Sequence, residues 1–89
     1  MDTPLFIASQ NGHLDVARLL VEAGAAIDKA MDDGCTPLLA ATEKGLVDIV
    51  SILLERGADS KKADNDGVTP RSAAVNPEII EMLEREEGI

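Results

Sequence analysis

The sequence predicts an all-α solenoid of stacked helix-turn-helix units joined by protruding β-turn loops, and three observations predict it. Thr-Pro pairs recur as Thr3-Pro4, Thr36-Pro37 and Thr69-Pro70, at an interval of 33 residues. Glycines keep the same register: Gly12 with Gly45, Gly24 with Gly57, and Gly34 with Gly67. Between these markers the apolar residues fall at helical spacing. A period of this length marks stacked units rather than one globular core, because no unit buries its apolar face alone.

Each element follows from local chemistry. A threonine before proline starts a helix well: its hydroxyl accepts from an unpaired first-turn N–H, and proline at the first helical position loses no bond it needed. First helices are therefore expected from Thr3, Thr36 and Thr69 to about Asn11, Lys44 and Val75. Gly12 and Gly45 end the first two, since glycine takes the left-handed conformation common at helix termini. After a tight reversal, each second helix carries an apolar stripe: Val16, Leu19, Leu20 and Ala23, then Ile49, Ile52 and Leu53, then Ile79, Met82 and Leu83. Asp15, Asp48 and Glu78 stand in their first turns, where the helix dipole favours anions. Gly24 and Gly57 close the first two. The segments Asp28 to Gly34 and Lys61 to Gly67 end in Asp-Asp-Gly and Asn-Asp-Gly, which are turn signals and predict loops with brief hairpin pairing.

The expected organisation is one domain over 1–89, with repeats at about 2–34 and 35–67 and a shortened carboxy-terminal repeat at 68–89. Of 89 residues, 45% are hydrophobic, yet Phe6 is the only aromatic, so the core must be built from Leu, Ile, Val and Ala. A net charge of -9 repels phosphate backbones and anionic surfaces, which argues against nucleic acid or membrane as partners. Cys35 is the one cysteine and forms no internal disulfide. The sequence contains neither a long apolar run nor a basic-then-apolar leader, and a cytoplasmic or nuclear setting is expected.

These residues resemble the ankyrin repeat family. Thr36-Pro37-Leu38, Ala40-Ala41, Gly45, Asp48-Ile49-Val50, Leu53-Leu54, Gly57-Ala58-Asp59 and Asp66-Gly67 stand where that family's pattern has such residues. Residues 2–34 and 35–67 agree at 14 of 33 positions. There are departures. Phe6, Leu39 and Ser72 occupy the place of the family's frequent histidine after Thr-Pro-Leu, and only His13 matches its second common histidine. The third unit lacks three residues between its helices, with Pro77 starting the last one. Arg71 stands where Leu5 and Leu38 stand, and Glu84 where Val21 and Leu54 stand; polar replacements of this kind suit a terminal capping unit. The first unit has no such replacement. Leu5, Val16 and Leu20 predict a sticky amino-terminal face, covered by a further repeat in a longer array or by a second copy of the chain.

Chemistry of other kinds finds little support. His13 and Cys35 lie too far apart for a zinc site, so no metal or cofactor is expected. Asp64-Asn65-Asp66-Gly67 has part of a calcium loop's composition, but Lys62 and Ala73 fall where the first and last acidic ligands belong. Cys35 follows a turn glycine and precedes a helix amino terminus, a setting that lowers a thiol pKa, but it has no partner base. His13 reads as a structural residue bonding across the reversal. No nucleophile–base spacing or phosphate cradle is present, so no enzyme is expected.

What remains is surface. The resemblance implies a non-enzymatic protein-binding module that holds another protein along its loop tips and the concave side of its first helices. The corresponding loop positions are Asp32, Asp33, Cys35, Asn65, Asp66 and Val68, and the helix positions are Gln10, Asn11, Glu43, Lys44 and Asn76. Most of these differ between repeats while the framework stays constant. The competing expectation is a structural spacer, or a fragment of a longer array self-associating through its uncapped end.

Overall fold

The computed structural model describes residues 3–88. Six α-helices and no strands are present among them: α1 (Pro4–Asn11), α2 (Leu14–Glu22), α3 (Pro37–Lys44), α4 (Val47–Glu55), α5 (Pro70–Ala73) and α6 (Pro77–Glu86). They form three antiparallel pairs. The threonines act as expected: the hydroxyls of Thr3, Thr36 and Thr69 accept from the backbone N–H of Phe6, Leu39 and Ser72, each at 3.1 Å. At Thr69 the cap is reciprocal, because Ser72 Oγ also accepts from the Thr69 N–H at 2.9 Å.

Gly12 and Gly45 cap α1 and α3 with φ of 79° and 72°. The third pair reverses differently. Lacking a glycine there, the chain leaves α5 through Ala74 in extended conformation (ψ 129°), so α5 ends at Ala73 rather than near Val75. Proline disfavours helical geometry in the residue before it, and Asn76 is accordingly extended. Its side chain caps α6, Oδ1 accepting from the Glu78 N–H at 2.8 Å and more weakly from the Ile79 N–H at 3.4 Å.

Two backbone bonds recur in both inter-unit loops. In the first, the Met31 N–H donates to the Cys35 carbonyl and the Gly34 N–H to the Met31 carbonyl; in the second, Asp64 donates to Val68 and Gly67 to Asp64. Each is a four-residue turn closed by one hairpin-like bond. The loops are also tied together. The Asn65 N–H donates to the Asp33 carbonyl and its Nδ2 to the Asp32 carbonyl, both at 2.9 Å. Gly34 is required twice over here: its φ is +85°, and a Cβ would lie 2.7 Å from Asn65 Oδ1 and 2.8 Å from Asn65 N.

Stacking of the pairs makes the core. α3 lies between α1 and α5, and α4 between α2 and α6. Leu5, Ala8, Ala17, Leu38, Ala41, Ile49, Val50, Leu53, Ile79 and Leu83 are buried in one cluster, with small alanines where helices approach closely. A second cluster of Phe6, Cys35, Leu39 and Ala40 packs with Met31, Val68 and Ala73 on the loop side. Two expectations are corrected. Leu5 is buried, because α1 turns it inward against the middle pair, and Leu20 is half-buried against the same core; the exposed large apolar residues of the first pair are Ile7, Val16 and Leu19. On α2 the buried residue is Ala17, outside the expected stripe. At the far end Arg71 and Glu84, expected as polar replacements on the outer face, pair with each other at 3.0 Å.

Ser9 and Thr42, 33 residues apart, carry buried hydroxyls with no hydrogen-bond partner among the described residues. A buried hydroxyl left unpaired costs about 1–3 kcal/mol. Thr42→Val keeps the shape and removes that group, so it is expected to leave the melting temperature unchanged or raise it by a few degrees, about 1 kcal/mol. A clear fall in calorimetry would contradict the burial of an unpaired hydroxyl. Gly34→Ala and Gly67→Ala share the cost of about 1–2 kcal/mol for a left-handed residue, and nothing lies near a Cβ at Gly67. Gly34→Ala is expected to lose about 1–3 kcal/mol more, because it displaces the Asn65 bonds. Equal losses in urea titration would mean that the loops are not clamped.

Candidate functional site

The eleven positions assigned from the repeat pattern separate into exposed and framework residues. Gln10 and Asn11 close α1, Glu43 and Lys44 close α3, and all four are exposed. Each sits in the last helical turn, one period from its counterpart. Asp32, Asp33, Asn65 and Asp66 are exposed at the loop tips, held there by the paired turns and the inter-loop bonds. Four of the assigned residues thus lie at the carboxy-terminal ends of α1 and α3, and four at the loop tips.

Three assigned residues are not presented in this way. Cys35 is buried beside Phe6 and Leu39, with its thiol toward the Thr36 carbonyl at 3.7 Å. Val68, its counterpart one period on, is half-buried against the same cluster. Both alternate inward from their turns, which is why this pair of loop positions contributes to packing. Asn76 is half-buried and engaged as the α6 cap. Asp33 has a double character: its side chain is exposed, yet Oδ1 accepts from the Cys35 N–H at 2.9 Å.

Asp64 belongs with these residues and was not singled out by the pattern. Its carboxylate accepts from the N–H groups of Asp66 and Val68, both at 2.9 Å, and so shapes the second tip. The Asp-Asn-Asp-Gly run signalled a turn but not which aspartate would hold it. The charge of this region is felt at Cys35. Burial, reinforced by the negative charges of Glu43, Asp33 and Asp64, pushes its thiol up to about 11. The helix amino terminus was expected to lower it; desolvation and three carboxylates outweigh that dipole. His13 is exposed and makes no capping bond at the start of α2, so the expected bond across the reversal is not formed.

The depressions of the surface lie elsewhere. One of about 290 Å³ is lined by Gly12, Leu14 and Gly45 to Ile49, and one of about 180 Å³ by Ser51, Leu54, Glu55, Met82, Arg85 and Glu86. Neither contains an assigned residue, nor does a more open one of about 520 Å³ along Gly12 to Val16. Among the described residues no group of three or more His, Cys, Asp or Glu is placed to hold a metal ion. No described helix is long and apolar enough to cross a membrane.

The paired helices, left-handed glycine reversals and clamped turns define a repeat protein whose units share one 33-residue frame. The family profile described as "Ankyrin repeats (3 copies)" matches residues 1–64, and the chain belongs to the ankyrin repeat family. The match ends before the third pair, where the reversal is shortened. No curated protein matches the chain. Ankyrin repeats generally mediate protein–protein interaction.

The thiol gives a pH test. Raised in the fold, Cys35 favours the protonated state, so its contribution to stability is complete below its ordinary pKa of 9.0 and is lost as pH rises toward about 11. The stability difference between the native chain and Cys35→Ala is expected to shrink steadily across that window. A difference independent of pH in denaturant titrations would show that the thiol is not held protonated.

Proposed function

We propose that this chain is a non-enzymatic binding module, a single domain over 1–89 that holds another protein along its loop tips and the concave side of its first helices. The observation that carries the reading is a division of labour within one register. Thr36, Gly45, Leu53 and Gly67 keep the chemistry of Thr3, Gly12, Leu20 and Gly34, whereas Gln10 becomes Glu43, Asn11 becomes Lys44 and Asp32 becomes Asn65. The constant positions are caps, turns and core, and the varied ones are exposed. Separating scaffold from recognition is the economy of a repeat surface. The partner is a protein rather than nucleic acid, given the net charge of -9. A cytoplasmic or nuclear setting suits a framework that does not use a disulfide.

Burial and bonding select the residues. Gln10, Asn11, Glu43, Lys44 and Asp66 offer contact area, while Asp32, Asp33 and Asn65 are exposed but also engaged in holding the tips. A combined Glu43→Lys, Lys44→Glu and Asp66→Lys variant therefore reverses the surface without removing a framework bond made by those side chains. Its melting temperature is expected to stay close to that of the native chain, since exposed substitutions usually fall within about 0.5 kcal/mol. In quantitative capture from whole-cell protein, bound partners are expected to be lost from the variant by about tenfold or more. If every captured protein is retained at equal affinity, this strip is not the recognition surface.

A further inference from the structure

The chain has three asparagines, and the side-chain amide of each is an electrophile toward the backbone nitrogen that follows it. Ring closure needs that nitrogen to carry a proton it can lose and no side chain that crowds it. Pro77 follows Asn76, and a proline nitrogen has no proton to give. Asp66 follows Asn65; its N–H donates to Asp64 Oδ1 at 2.9 Å, and Asn65 itself is tied to the preceding loop through its N–H and Nδ2. Gly12 follows Asn11 with no side chain at all, and both residues are exposed. Exposure in this register does not require an uncovered unit. Lys44, one period after Asn11 in the pair stacked on both sides, is exposed as well.

We propose that Asn11 is a modification site served by the chain itself: it deamidates spontaneously through Gly12, at a rate set by opening of the last turn of α1. The Gly12 nitrogen gives its proton to solvent base and bonds to Asn11 Cγ. The bond from Cγ to Nδ2 breaks, ammonia leaves, and a succinimide remains. Water then adds to either ring carbonyl. Breaking the new bond to Cγ gives aspartate, and breaking the original peptide bond gives isoaspartate. Each event consumes one water and releases one ammonia, with no oxidant or reductant.

The fold sets the rate. Asn11 is the last residue of α1, and the Gly12 N–H donates to the Ala8 carbonyl, which also accepts from the His13 N–H at 2.9 Å. Helical backbone at Asn11 holds the Gly12 nitrogen away from Asn11 Cγ, and the bond to Ala8 keeps its proton in place. Reaction therefore waits for the end of α1 to fray, an opening that costs far less than global unfolding. Asp33-Gly34 and Asp66-Gly67 also place a glycine after an acidic side chain, but an ionised carboxylate is a poor electrophile, and its rearrangement leaves mass and charge unchanged. At Asn11 a charge is gained. The new carboxylate lies at the carboxy-terminal end of α1, where the helix dipole disfavours an anion, in the register where the next unit carries Lys44. The chemistry is covalent and local, so it stands whether or not the loop tips hold a protein.

The test is peptide mapping by mass spectrometry of the native chain stored at neutral and at mildly alkaline pH. Conversion is expected at Asn11 and not at Asn65 or Asn76, as aspartate and isoaspartate together, and faster at the higher pH. Unfolding in guanidinium chloride is expected to speed conversion of Asn11 by about tenfold or more, because the turn no longer has to open. An Asn11→Lys variant, which copies Lys44, is expected to keep its mass over the same period. Four results would each overturn the proposal: no conversion at Asn11, conversion of the folded chain at Asn65 or Asn76 as fast as at Asn11, a rate indifferent to pH, or equal Asn11 rates in the folded and unfolded chain. All four are read from the native sequence, so the outcome does not depend on the variant folding.

Discussion

None of these helices is long enough to stand alone in water. The longest described, α6, has ten residues, and α5 is a single turn; isolated helices below about 12–15 residues are marginal even in favourable sequences. Lateral stacking of each pair on the next is therefore the interaction on which everything else depends. The middle pair carries most of it. Leu38, Ala41, Val50 and Leu53 are sealed from solvent because α3 and α4 have neighbours on both sides. Small residues at Ala8, Ala40 and Ala41 let those neighbours come close enough for dispersion contacts to add up.

Stacking also places the loops. Neighbouring pairs in one frame bring the turn at Asp32-Asp33-Gly34 against the turn at Asp64-Asn65-Asp66, near enough for Asn65 to donate twice to the preceding tip. Two flexible connections thereby become a clamped edge. The cost is a fixed glycine and a set of carboxylates engaged in turn geometry, Asp33 and Asp64 among them. The side chains of Lys44 and Asp66, by contrast, are exposed and take no part in those turn bonds.

The two ends resolve the same problem differently. At the carboxy-terminal end the third pair replaces apolar outer positions with an ion pair and exchanges the glycine reversal for an asparagine-capped, proline-led helix. Such exposed pairs add little stability, about 0–1 kcal/mol, but they keep the end hydrated. The first pair retains Ile7, Val16 and Leu19 on its outer side.

Much of this was legible in the sequence because its signals are local. A threonine cap, a proline at the first helical position and a left-handed glycine act within a few residues, so the three threonine starts and the Gly12 and Gly45 reversals fell where the 33-residue frame put them. The candidate strip was legible only in part: Glu43, Lys44 and Asp66 are exposed, whereas Cys35 turns into the loop-side cluster and Asn76 becomes a cap. The sequence by itself determined the period, the helix starts, the glycine-ended reversals and the polar character of the last unit. Only the tertiary structure decided that Leu5 is buried while Val16 is open, that Asn65 clamps the preceding loop, and that Arg71 meets Glu84. The physical reason is that successive units carry closely similar faces. Which copy of a face is covered depends on the neighbour stacked against it, and that is a relation in space rather than along the chain.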